Sequence, residues 1–207
     1  MATSKVIFTE EVVKIPTYQE GKTENLPMFA ENRVHQRTSG NPFPNKVVLE
    51  TYREERIEEE YTLLKLENEF IELAIMPKLG GKIWYAKDKR TGYHFIYKNN
   101  VVKPALIGVL GSWTSGGLEF NWPFHHRAST FMPVDYEVEQ GEDYVTVWLS
   151  EHDPIDRMKG MVGVSLKAGE CIFETKVKLD NLSDTRRSFL WWENTAVPVN
   201  KNYELFF

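Results

Sequence analysis

Short segments in which apolar residues recur at every second position, separated by glycine-containing turns, run through most of this chain. That period belongs to strands half-buried on a sheet; an amphipathic helix would repeat every 3.6 residues. Across residues 60–67, Tyr61, Leu63 and Lys65 alternate with Thr62, Leu64 and Leu66. Residues 70–76 are apolar on both sides, as in a strand covered on both faces. Residues 46–52, 82–86 and 93–97 also read as strands, with turns at 77–81 and 88–92. Two hairpins are marked clearly. Residues 134–139 and 144–149 flank Gln140-Gly141-Glu142-Asp143, and residues 161–166 and 171–179 flank Lys167-Ala168-Gly169-Glu170. A last strand is predicted over 187–197. No long segment has a helical period, and residues 101–110 are the best candidate for a short helix or apolar loop. Regular turns between short strands predict an all-β antiparallel sandwich or barrel.

The chain divides into residues 1–45, an N-terminal strand and wrapping segment, and residues 46–207, the sandwich. Residues 5–15 read as an edge or covering strand, and the proline-containing stretch 17–44 as an irregular connection. Residues 53–60 mix charges of both signs, as on a solvated face. The stretch 203–207 is apolar and β-prone. It predicts a sandwich incomplete at the C-terminus, continued beyond Phe207, with an exposed sheet edge through which copies associate as a homo-oligomer.

The net charge of −5 gives no reason to expect nucleic acid as a partner, since its phosphates call for a clustered basic surface. No apolar run approaches the ~20 residues of a membrane helix. The N-terminus lacks the long apolar region of a signal peptide, so the sequence reads as cytoplasmic with no membrane partner. Cys171 is the one cysteine. It excludes an intrachain disulfide and, in its alternating apolar stretch, reads as a buried thiol. Aromatic residues make up 13%, with six Trp; their rings fill cores and also stack on sugars.

The densest cluster of polar chemistry is residues 111–127, GSWTSGGLEFNWPFHHR. Ser115-Gly116-Gly117 allows a sharp turn. Glu119 and Asn121, two apart, share one face of a strand that Pro123 ends. His125, His126 and Arg127 follow closely enough to converge with Glu119 on one ligand beside Trp113. Glu119 and His126 are the acid/base candidates, because both can exchange protons near neutral pH in a suitable environment. Trp113, Asn121, His125 and Arg127 are candidate substrate contacts. In Leu190-Trp191-Trp192-Glu193-Asn194, alternation sends Trp191 and Glu193 to one face and Trp192 and Asn194 to the other; Trp191, Glu193 and Asn194 join the candidate substrate contacts. Adjacent strand histidines point apart, and no HxH motif is present, so no metal site is predicted. No cofactor is predicted either, since the phosphate-cradling and nucleophile-elbow motifs are missing.

Three stretches carry a family resemblance. Residues 75–84, IMPKLGGKIW, with Asp88-Lys89-Arg90-Thr91-Gly92, resemble the early hairpin of aldose 1-epimerases and related galactose-mutarotase-like proteins. Residues 115–123, SGGLEFNWP, with His126-Arg127, and residues 191–199, WWENTAVPV, are similar to an uncharacterised bacterial family on that fold, often found ahead of tetratricopeptide repeats. The resemblance implies an antiparallel β-supersandwich, galactose-mutarotase-like, with a ligand in a cleft on one sheet. The fold hosts mutarotases, lyases and noncatalytic accessory domains, so it does not choose among functions. The catalytic histidine motif of mutarotases is not matched at His125 or His126. The expectation is a carbohydrate-processing domain, mutarotase-, epimerase- or glycosidase-like, with carbohydrate as its partner. The alternative is a noncatalytic carbohydrate-binding or structural β domain of a larger repeat-containing protein.

Overall fold

The computed structural model describes residues 5–24, 47–48, 50–106, 112–123, 126, 129–153 and 157–206. Its strands are β1 (Ile7–Glu20), β2 (Thr23–Glu24), β3 (Val47–Val48), β4 (Thr51–Glu67), β5 (Ile71–Met76), β6 (Lys82–Asp88), β7 (His94–Ile96), β8 (Ala105–Leu106), β9 (Ser112–Trp113), β10 (Leu118–Asn121), β11 (Asp135–Gln140), β12 (Tyr144–Asp153), β13 (Met158–Lys167), β14 (Phe173–Asn181) and β15 (Trp192–Thr195). The larger sheet runs β1-β4-β5-β6-β10-β15, with β7 also on β6; β11 to β14 form a four-stranded meander. Every ladder between these strands is antiparallel.

The two sheets pack face to face because each presents one apolar side. Leu64, Leu66, Leu73, Ile75, Ile83 and Phe120 of the larger sheet meet Val145, Val147, Leu149, Val162, Val164 and Leu166 of the smaller. Each such side chain contributes roughly 1.5–3 kcal/mol when fully buried. Trp122 also spans the layers: a Cβ at Gly160 of β13 would stand 2.3 Å from its indole, so only glycine admits that ring. The molecule is an all-β antiparallel sandwich, as the alternation predicts. A second buried cluster, with Tyr61, Leu63, Met76, Trp84 and Tyr85, covers the other face of the larger sheet.

The structure corrects four expectations. Residues 17–20 are not an irregular connection: β1 continues through Pro16 to Glu20 and joins the larger sheet along β4. Proline is tolerated there because β1 is an edge strand. The rest of that connection, residues 25–44, lies outside the described residues. β4 runs unbroken from Thr51, so the charged stretch is strand, and the side chains from Glu54 to Glu58 are exposed. Of the short helix or apolar loop expected over 101–110, residues 101–104 are irregular, Ala105–Leu106 pairs with Ser112–Trp113, and residues 107–110 lie outside the described residues. Among the described residues no α-helix occurs, and Pro77–Leu79 forms a single 3₁₀ turn. Cys171 is exposed, not buried, because the β13–β14 ladder ends at Leu166–Phe173 and leaves it in the turn.

Candidate functional site

Alternation along β10 turns Leu118 and Phe120 into the core between the sheets, and Glu119 and Asn121 to the opposite face. On β6, Ile83 points into that core while Trp84 lies in the cluster on the other side. Leu118 pairs with Ile83, which makes Lys82 and Glu119 cross-strand neighbours. The turn into β10 depends on Gly117: its φ is +72°, and a Cβ there would lie 2.3 Å from the Ile83 carbonyl oxygen.

Glu119 is 2% exposed, yet its carboxylate is fully engaged. Thr130 Oγ1 donates to Oε1 at 2.6 Å, Trp113 Nε1 donates to Oε2 at 2.9 Å, and His126 Nδ1 lies 3.0 Å from Oε1. An ionised carboxylate only accepts, so Nδ1 of His126 carries the shared proton. Burial pushes the Glu119 carboxyl toward its neutral form. The hydrogen bonds from Thr130, Trp113 and His126, with the nearby charge of Lys82, outweigh that push and hold its pKa below the ordinary value of 4.5. Glu119 is therefore ionised near neutral pH.

The imidazole of His126 is framed by indoles. Trp192 meets it edge-on at 4.9 Å between ring centroids, and Trp113 at 6.1 Å. The carboxylate is closed off, whereas the His126 side chain retains 16% exposure and Trp113 is partly exposed. Buried Lys82 ties down the approach: Nζ donates to the carbonyls of Thr114 at 2.8 Å and Gly116 at 2.9 Å. Beside these residues in the chain, the buried hydroxyls of Ser112, Thr114 and Ser129 have no hydrogen-bond partner among the described residues.

Of the residues singled out in the sequence, Glu119, His126 and Trp113 touch one another, and Asn121 is buried on the Glu119 face. Asn194 pairs with Glu119 and Trp192 with Asn121, so both stand on that face at β15. Trp191 and Glu193 take the other side. Trp191 stacks on Phe120 at 6.3 Å, and Glu193 accepts from Thr175 Oγ1. They are not brought to the Glu119–His126 pair, because alternation fixes which residues share a face and not which face reaches Glu119. His125 and Arg127 lie outside the described residues.

Three members of the cluster escaped the sequence reading. Trp192 had a usable signal, since it alternates with Asn194. Lys82 had a weaker one, because a strand lysine ordinarily reads as solvent-facing. Thr130 had none: it reaches Glu119 from a loop with no periodicity. Among the described residues no group of three His, Cys, Asp or Glu side chains is placed to hold a metal ion. No described helix is long and apolar enough to cross a membrane.

Fold and site together define a class: a two-sheet antiparallel β-sandwich with a buried carboxylate–imidazole pair, framed by indoles, on the outer face of its larger sheet. Residues 39–207 match a domain family of unknown function, DUF5107, and the chain belongs to that family. It is also similar to a solved structure, a TPR-domain containing protein from Parabacteroides distasonis, with a TM-score of 0.83 at 24% identity. The similarity covers 96% of this chain and 33% of that one, so the chain spans about a third of the length of that protein. At this identity the likeness concerns the fold.

Proposed function

We propose that the Glu119–His126 pair is a carbohydrate site in which His126 exchanges protons with the sugar and Glu119 holds the imidazole in place. The observation that carries this reading is the hydrogen-bond set of Glu119. A carboxylate that accepts three bonds and stays ionised is a poor acid but a good orienter of an adjacent imidazole. Glu119 accordingly changes role, from acid/base candidate to positioning residue. His126, which reaches the surface, is the group left to exchange a proton with a ligand. Trp113 and Trp192 supply apolar ring surface beside it.

The chemistry that fits is proton transfer at an anomeric centre. Ring opening of a hemiacetal transfers the anomeric hydroxyl proton to a base as the ring C–O bond breaks, and a proton returns to the ring oxygen. Glycoside hydrolysis ordinarily uses two carboxylates flanking the bond. Glu193, the other carboxylate singled out in the sequence, stands on the opposite side of β15.

The test is binding and anomer interconversion with reducing sugars: D-glucose, D-galactose, D-mannose, D-xylose and L-arabinose, followed by tryptophan fluorescence and polarimetry. Wild-type protein is expected to bind at least one of them. Trp113→Ala is expected to weaken that binding about tenfold, since ring stacking contributes on the order of 1–1.5 kcal/mol. His126→Ala should abolish any turnover. Binding without interconversion would make the domain a noncatalytic sugar module, and sugar affinity unchanged in Trp113→Ala would contradict the reading.

A further inference from the structure

A cavity opens on the same outer face of the larger sheet, at the base of the β1–β4 ribbon. Its walls include Tyr18, Gln19, Glu59, Tyr61, Lys78 and Phe131, and its volume is about 240 Å³. Drug-sized ligand sites run roughly 300–1,000 Å³, so this one suits a single small ring. Tyr61 is 2% exposed and anchored: its hydroxyl lies 2.9 Å from Thr17 Oγ1, and burial pushes its pKa up to about 12, so it stays a neutral phenol. Lys78 Nζ stands 4.7 Å over the Tyr61 ring and pairs with Glu59. The Gln19 amide is held by its bond to the Thr17 carbonyl at 3.1 Å. The partly exposed rings of Tyr18 and Phe131, with an amide, a carboxylate and an ammonium group at one small cavity, match a ring with an apolar face and a rim of hydroxyls.

This cavity shares a structural segment with the Glu119 site. Thr130 donates to Glu119, and its neighbour Phe131 lines the cavity. The segment is clamped to the turn that carries Lys78, through Gly80 N–H to the Met132 carbonyl at 2.8 Å and Val134 N–H to the Pro77 carbonyl at 3.1 Å. Tyr61 on β4 and Glu119 on β10 stand three strands apart, about 14 Å at the usual strand spacing. A single monosaccharide does not bridge that span.

We infer that the Tyr61–Lys78 cavity is a distal sugar subsite, and that the ligand of this domain is a short oligosaccharide lying across the larger sheet from His126 to Tyr18. This rests on the carbohydrate reading of the Glu119–His126 pair. The test compares affinities of the full 207-residue chain for monosaccharides and for linear tri- and tetrasaccharides of glucose, galactose, mannose and xylose, by tryptophan fluorescence and calorimetry. Wild type is expected to bind its preferred tetrasaccharide at least tenfold more tightly than the corresponding monosaccharide. Lys78→Ala and Tyr18→Ala, both at positions accessible enough to spare the fold, are expected to remove that gain and leave monosaccharide affinity unchanged. His126→Ala should weaken both. Equal wild-type affinity at every chain length, or a tetrasaccharide affinity untouched by both cavity variants, would overturn the subsite and leave the dyad reading standing. Wild-type protein that binds none of these sugars would overturn both.

Discussion

A charge as deeply buried as that of Glu119 costs several kcal/mol unless donors replace the water it has lost. Thr130, Trp113 and His126 are those donors, with Lys82 as the neighbouring opposite charge. Glu119→Gln presents an NH₂ to at least one of three donors and leaves Lys82 without its counter-charge. A destabilisation of about 2–4 kcal/mol in urea denaturation at neutral pH is expected. The pH dependence follows from the sign of the shift. The folded-state pKa is depressed, so the unfolded chain holds more protons in the window below 4.5. The ionised carboxylate therefore stabilises the fold above that pH, and its contribution is lost as pH falls through the folded value. Wild-type stability is expected to fall more steeply below pH 4.5 than that of Glu119→Gln. Parallel acid limbs would contradict the assignment.

At the scale of elements, the site depends on how β10 enters the sheet. Gly117→Ala combines a left-handed backbone with a contact against the Ile83 carbonyl, which cannot move without shifting β6. A loss of about 2–4 kcal/mol is expected, along with a change in Trp113 emission. Gly92 has nearly the same φ, +72°, but nothing within 4 Å of an added Cβ. Gly92→Ala should therefore cost only the backbone preference, about 1 kcal/mol; equal effects at the two glycines would refute the close-contact argument. The paired strands were legible because hairpins such as β11–β12 and β13–β14 combine alternation with short glycine turns. The reach of β1 past Pro16 was not, since proline ends most strands and only an edge position excuses it. Trp191 and Trp192 show the same limit within the site: their opposition was readable, but which of them meets His126 depends on the register of β15 against β10.

For the molecule as a whole, β14 and β15 end the two sheets among the described strands. The segments around and after them expose Phe189, Leu190, Val199, Leu205 and Phe206. Open strand edges beside apolar surface invite pairing with another chain. Concentration-dependent self-association is the expected result in light scattering, weakened by the double substitution Leu205→Ser and Phe206→Ser. A monomer at high concentration would contradict it.

Whether Glu119 orients His126 toward a sugar can be read from ¹⁵N NMR of the His126 imidazole. The spectrum would be recorded at a pH where the ring is neutral, with and without the sugar that binds. A proton on Nδ1 is expected, lost as the dominant tautomer in Glu119→Gln, with a shift of the Nε2 resonance on adding sugar. A proton on Nε2 in the wild type, or an Nε2 resonance indifferent to saturating sugar, would contradict it.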